Sequence, residues 1–142
     1  SWIGPAIADY ILVFRKGIDD PAVPINQDPL TEEQWIEWAR PIWYGIRETD
    51  TLQAPAKNND ERHIAPLQLG VIERCVRLWS NPGETVLTPF MGIGSEAFIA
   101  VKHGRKAIGV ELKPEYFETA VRNVSNARAQ STVFDFIGEA AS

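Results

Sequence analysis

The stretch Val86-Leu87-Thr88-Pro89-Phe90-Met91-Gly92-Ile93-Gly94-Ser95-Glu96-Ala97 joins a short apolar run to a glycine-containing turn and then to a helix start. A buried strand that ends in such a turn and passes at once into a helix is half of a βαβ unit. In an open parallel sheet, ligands sit beyond the carboxyl ends of the strands, where backbone N–H groups at a helix start point into the crevice. Gly92 and Gly94 remove side chains where a ligand must approach the backbone closely. Glu111 lies seventeen residues beyond Gly94, at the end of the next strand-like run. An acid there can accept hydrogen bonds from both hydroxyls of a ribose, and bonds to a charged partner are worth about 1.5–3 kcal/mol. Glycine turn, second strand and terminal acid together describe a nucleoside-containing cofactor.

Two cofactor classes remain open at this point. Gly92-Ile93-Gly94-Ser95-Glu96-Ala97 formally satisfies the dinucleotide fingerprint, with alanine as its last member. In dinucleotide binders, however, the first glycine turns the chain directly at the strand end, against a pyrophosphate. Here Thr88-Pro89-Phe90-Met91 intervene. The wider loop suits a ligand without a diphosphate, such as the amino-acid end of S-adenosylmethionine. A P-loop is excluded, because no glycine-lysine-serine/threonine sequence occurs.

Outward from this stretch, the second half of the chain alternates helix and strand. Leu67, Val71, Cys75 and Leu78 form a helical stripe that Ile72, Val76 and Trp79 widen, which predicts a helix over Pro66 to Ser80, stopped by Asn81-Pro82-Gly83. Strands are expected over Glu84–Thr88 and Ala107–Glu111, and helices over Ser95–His103 and from Pro114 to about Arg128, with Phe117, Ala120, Val121 and Val124 on one face. This order is that of a parallel sheet covered on both faces. Toward the start, Ala8 to Phe14 is a continuous β-rich run that reads as a strand buried on both faces. From Ile18 to Asp60 the pattern dissolves, with five prolines between Pro21 and Pro55. One helix is expected there, from about Glu32 to Ala39, because Thr31-Glu32-Glu33-Gln34 has the capping-box spacing and Leu30 and Trp35 the staple positions. Trp35, Trp38, Trp43 and Tyr44 read as pins of this segment to the core in preference to a base-stacking platform.

Composition narrows the classes further. At 142 residues, with 44% hydrophobic and 23% charged residues, the chain is one domain in size. Such a chain buries roughly 68–70% of its unfolded surface and needs no staple. The single cysteine cannot form an internal bridge and fits a reducing, cytoplasmic setting. No apolar run is long enough to span a membrane, and no signal-like segment opens the chain. Residues 1–60 hold ten acids against five bases, and residues 61–142 nine against nine, so the net charge of −5 lies entirely in the first part. Neither part has the basic stripe of a nucleic-acid footprint.

The motifs resemble one family. Pro89-Phe90-x-Gly92-x-Gly94-Ser95 is similar to the S-adenosylmethionine motif of amino-group DNA methyltransferases, and Gly109 to Tyr116 to their ribose-binding strand and helix start. His63-Ile64-Ala65-Pro66-Leu67-Gln68-Leu69 resembles the segment that precedes the glycine motif and lines the methionine side of the pocket. Ala8 to Lys16 resembles the sheet strand just before their variable recognition region. The order of the blocks is that of the permuted subgroup, with the cofactor half last, and the wording around Trp43–Leu52 and Asp60–Leu69 resembles that of phage- and prophage-encoded modification methylases. The resemblance covers about half the chain. It departs at Thr88, where the family has an aspartate, and in the catalytic tetrad Asp/Asn/Ser-Pro-Pro-aromatic: no Pro-Pro dipeptide occurs. In the permuted order that tetrad is expected upstream of Ser1.

The resemblance implies a Rossmann-like S-adenosylmethionine-dependent methyltransferase fold of α/β class, as a partial parallel sheet with helices on both faces. Residues 1–17 are expected to continue a sheet from a missing N-terminal part, residues 18–60 to belong to a target-recognition region, and residues 61–142 to bind the cofactor. S-adenosylmethionine is expected to be held by His63, Pro66, Pro89, Phe90, Gly92, Gly94, Ser95 and Glu111. The implied partner is double-stranded DNA, met through the parent restriction-modification enzyme, with adenine N6 favoured over cytosine N4 and no catalytic residue in this chain, which alone is expected to be inactive. Arg47, Lys57 and Arg62 read as solvated loop charges, Cys75 as a packing residue, and His63, Cys75 and His103 give no metal-ligand spacing. A degenerate, non-catalytic methylase remnant and an NAD-binding oxidoreductase fragment are the alternatives.

Overall fold

The computed structural model describes residues 9–17, 30–53 and 66–140, with residues 131–140 described as helical backbone. The elements are α1 (Glu32–Trp38), α2 (Leu69–Trp79), β1 (Thr85–Thr88), α3 (Ser95–Lys102), β2 (Lys106–Gly109) and α4 (Pro114–Ala140). β1 and β2 pair in parallel, with Val86 opposite Ala107 and Leu87 opposite Ile108, so β1-α3-β2 is the expected βαβ unit.

Local chemistry accounts for the helix boundaries. α1 starts where Thr31 Oγ1 accepts from the Gln34 amide (3.2 Å) and Gln34 Oε1 accepts from the Thr31 amide (3.0 Å). α2 begins three residues later than its apolar pattern suggests, at Leu69, whose amide donates to the Asp50 carbonyl at 2.8 Å. That bond satisfies one of the donors that every helix start leaves unpaired. After α2, the Asn81 amide donates to Glu84 Oε2 (2.8 Å), closing the turn into β1. Buried Arg105 ties this turn to the start of β2: its Nη2 donates to the Ser80 carbonyl and its Nη1 to the His103 carbonyl, both at 2.6 Å.

α3 is the centre of the packing and touches α2, α4 and both strands. On one side Ile72 and Val76 of α2 meet Ile99, with Val86 against them; on the other, Met91, Ala97 and Ala120 meet with Ala107 and Val124. Val86 and Ala107 therefore mark the covered face of the sheet. Period-two alternation turns Leu87 and Ile108 to the other face, where they are 64% and 56% exposed. The α/β class is as expected, but among the described residues the helices cover one face rather than both. The reason is topological: α2 and α4 both pack through α3, the single crossover, and so share its side of the sheet.

Three further expectations are corrected. The described part of the Ala8–Phe14 run, from Asp9 onward, is unpaired, with Tyr10, Leu12 and Phe14 exposed, whereas its composition is that of a doubly buried strand. A strand exists only against a partner, and among the described residues β1 and β2 pair solely with each other. α4 continues from Arg128 to Ala140, with Ala120 and Ala127 buried and Phe117 and Val121 half in solvent. In α2 the buried positions are Ile72, Arg74, Val76 and Leu78, while Leu67 and Trp79 are exposed and Cys75 is half-buried. The buried arginine has no counterpart in the apolar pattern. It is explained by α1 and its following loop, which pack onto α2 through the stacked Trp43 and Trp79 and through Trp38.

Candidate functional site

β1 and β2 end side by side, and the chain leaves β1 into the turn Pro89–Gly94. The Met91 amide donates to the Val110 carbonyl (2.9 Å) and the Val110 amide to the Thr88 carbonyl (3.0 Å), so the two strand ends are laced together. Glu111, two residues past β2, reaches back across this junction. Its Oε2 accepts from the Gly92 amide and its Oε1 from the Lys113 amide, each at 2.8 Å. A carboxylate has about four lone-pair sites, so each oxygen keeps capacity for one more donor. The glycine turn and the strand-end acid, nineteen residues apart in sequence, thus form one hydrogen-bonded unit.

The expected site residues divide into groups. Pro89 and Phe90 are exposed at the strand ends, Phe90 at 88%, beside Gly92 and Glu111. A Cβ on Gly92 would meet nothing within 4 Å, so the turn has open space at this point. Gly94 has a different reason to be glycine. At φ +89° it is the N-cap of α3, and a Cβ there would lie 2.9 Å from Ala120 Cβ and 3.1 Å from Ala120 Cα. The close crossing of α3 and α4 excludes a side chain. Ser95 is 4% exposed, in the first turn of α3. Pro66 is half-buried in the extended residues before α2. His63 lies outside the described residues.

Several supporting residues carry no sequence signal as strong as the glycines. Gly109 is needed because a Cβ there would overlap the Met91 side chain, which buries itself under the turn. Asn123 Nδ2 of α4 donates to the Ile93 carbonyl at 2.9 Å and holds the turn from below. A lone asparagine within a helix offers no local pattern to detect. Thr88, at the aspartate position of the motif, is buried at 7%.

Two partly buried titratable groups are shifted. Glu96, in the first turn of α3, has its carboxyl pKa raised by burial, which outweighs the backbone hydrogen bond that lowers it. Burial pushes the Cys75 thiol up to about 11, the direction of an inert packing residue. Among the described residues no group of three or more His, Cys, Asp or Glu is placed to hold a metal, and no helix is long and apolar enough to cross a membrane.

Against known proteins, residues 6–122 match the sequence model of the N6/N4 DNA methylase family. The type II methyltransferase M.BglI of Bacillus subtilis is 36% identical over 101 residues, covering 70% of this chain and 26% of that protein. The type II methyltransferase M.MjaI of Methanocaldococcus jannaschii is 33% identical over 110 residues, covering 73% of this chain and 34% of that one. Among solved structures, TTHA0409 of Thermus thermophilus, described as a putative DNA modification methylase and crystallised with S-adenosyl-L-methionine, superposes with a TM-score of 0.55 at 29% identity. That superposition covers 81% of this chain and 39% of the Thermus chain. The chain thus spans between a quarter and two fifths of the relatives it matches.

Proposed function

The chain belongs to the N6/N4 DNA methylase family, and from that premise we propose that it is the S-adenosylmethionine-binding part of an enzyme that methylates an exocyclic amine of DNA. The observation that carries this reading is the Glu111 carboxylate at the end of β2, already bonded to the glycine turn at the end of β1. When bound, S-adenosylmethionine supplies a sulfonium-activated methyl group. Glu111, through its remaining lone pairs, would accept the ribose hydroxyls. Gly92 would admit the cofactor next to the backbone, and Phe90 and Pro89 would wall the open side of the crevice. Pro66 and His63 would complete the methionine side. Gly94 and Ser95 are read as supports of the turn, since both are packed away from open space. This fit favours a methyl donor over a dinucleotide for the geometric reason that Pro89, Phe90 and Met91 stand between strand and glycine.

The substrate is proposed to be double-stranded DNA, with adenine N6 favoured over cytosine N4. Reactions of this type gain most from holding donor and acceptor in line in a shaped, dry site. The sequence contains no Pro-Pro-aromatic tetrad, so this chain alone is proposed to position a donor without completing a transfer. Calorimetry tests the cofactor assignment. S-adenosylmethionine is expected to bind and NAD not to; Glu111→Ala should weaken the methyl donor by roughly ten- to a hundredfold, the loss of a charged hydrogen-bond acceptor. Binding of NAD without binding of the methyl donor overturns the reading. Tritium incorporated into a duplex by this chain alone would refute its proposed inactivity.

A further inference from the structure

Asn123 lies on the packed face of α4, between Ala120 and Ala127, both 0% exposed, and beside Val124, which packs against the Met91 cluster. Helix propensity does not explain an asparagine there, because its side chain competes for nearby backbone groups and makes it a weaker helix former than alanine. The Asn123 carboxamide instead crosses to another segment, where Nδ2 donates to the Ile93 carbonyl at 2.9 Å. Ile93 is 3% exposed, so its carbonyl has little water to turn to. Without Asn123 that oxygen would carry the full cost of its lost hydration.

The Ile93 carbonyl and the Gly94 N–H belong to one planar peptide group. The Gly94 N–H donates to the Met91 carbonyl at 2.8 Å. The plane is therefore fixed at both edges, by Met91 from within the turn and by Asn123 from α4. It needs fixing, because Gly92 and Gly94 on either side of Ile93 both have positive φ, and glycine lets neighbouring peptides rotate at little cost. Local capping does not supply the restraint: α3 starts on Gly94 with no side-chain cap. One residue before Ile93, in the same four-residue turn, the Gly92 amide donates to Glu111 Oε2 at 2.8 Å. The orientation of the Ile93–Gly94 plane and the place of the Glu111 carboxylate are thus linked by geometry.

We propose, on the premise of the function proposed above, that Asn123 is a positioning residue for the methyl donor. Acting through the Ile93–Gly94 peptide, it holds the Gly92 amide, and with it the Glu111 carboxylate, where the ribose is met. The role needs a donor at this point in α4. A carboxamide supplies one, and an ionised carboxylate of nearly the same shape does not.

The test uses the whole 142-residue chain, with calorimetry for S-adenosylmethionine and nitrogen-15 NMR for the turn. In the wild type, the Asn123 side-chain amide signals should shift saturably with the cofactor, together with the Gly92 and Gly94 amides. Asn123→Ala should weaken cofactor binding by about tenfold, the worth of one hydrogen bond, and displace the Gly92 amide signal of the free chain. Val76→Ala, in the separate cluster with Ile72 and Ile99, controls for stability: it should lower resistance to urea and bind the cofactor as the wild type does. Asn123→Asp supplies a readout that a merely structural role would not move. Its ionised carboxylate faces a carbonyl and cannot donate, whereas the protonated acid can. The deficit in affinity relative to wild type, taken at each pH so that other titrations cancel, should therefore narrow as pH falls from 7.5 toward about 4.5. Wild-type affinity in Asn123→Ala, a loss matched by Val76→Ala, or an Asn123→Asp deficit that ignores pH overturns the role. If neither Asn123 variant folds, the wild-type titration decides, and Asn123 signals indifferent to bound cofactor reject it. A wild-type chain that binds no S-adenosylmethionine rejects the function proposed above; cofactor binding that is blind to Asn123 rejects the positioning role alone.

Discussion

Gly92 and Gly94 stand two residues apart in one motif and do different work. Both have positive φ, +54° and +89°, but a Cβ on Gly92 would enter open space and one on Gly94 would press on Ala120. Gly94→Ala should therefore destabilise the fold by about 2–4 kcal/mol, combining left-handed strain with overpacking. Gly92→Ala should cost only about 1–2 kcal/mol of strain while weakening cofactor binding at least as much as Glu111→Ala. Urea unfolding and calorimetry on the pair check the split, and equal stabilities would contradict it. Glu96 offers a signed pH test. Its folded pKa is raised, so its favourable contribution is complete below the unfolded value and is lost as pH rises through the folded one. At neutral pH the charged form is a cost that the start of α3 does not cancel. Glu96→Gln should raise the melting temperature by about 1–3 °C at pH 7, with the gain vanishing near pH 4. A gain that persists at acid pH would refute the burial argument. At this scale the glycine motif and Glu111 are legible in the sequence, because chemistry at strand ends has a fixed spacing. Gly109, Asn123 and Arg74 are not, because their reasons lie in residues distant along the chain.

Elements with local causes are legible too. α1 begins at its capping box, and Thr31→Ala should lower protection of the α1 amides in hydrogen exchange by about 1 kcal/mol while leaving α2 to α4 unchanged. Loss of protection throughout the chain would instead make α1 part of the global unfolding unit. α3, β1 and β2 lie within a residue or two of their expected bounds, since each is bracketed by glycine, proline or a charged turn. Elements with non-local causes depart from their sequence pattern. The run from Asp9 to Phe14 has strand composition, and among the described residues no strand pairs with it. α2 starts late because Asp50, from another segment, receives its first amide. The aromatic residues divide in the same way: Trp38 and Trp43 pin the loop around Arg74, as expected, while Trp35 and Tyr44 remain exposed.

Among the described residues, the sheet has a covered side and a bare one. Leu87 and Ile108 lie on the open face at 64% and 56% exposure, and Val110 and Leu112, beyond the end of β2, are also exposed, at 50% and 94%. Contiguous apolar surface of this kind is uncommon on a soluble domain that stands alone. The folded chain should bind the dye 1-anilinonaphthalene-8-sulfonate, and Leu87→Lys with Ile108→Lys should remove about half or more of the signal without loss of helical circular dichroism. Absence of dye binding would mean that this face is closed in solution. Residue order alone established the α/β class, the βαβ unit and the pairing of a glycine turn with a terminal acid, because these depend on periodicity, turn chemistry and spacing along one stretch of chain. Tertiary structure decided which side of the sheet the helices cover, why Gly94 and Gly109 have no side chain, and that an arginine lies buried between two indoles. Each of these depends on which distant surfaces meet, and no local pattern encodes that.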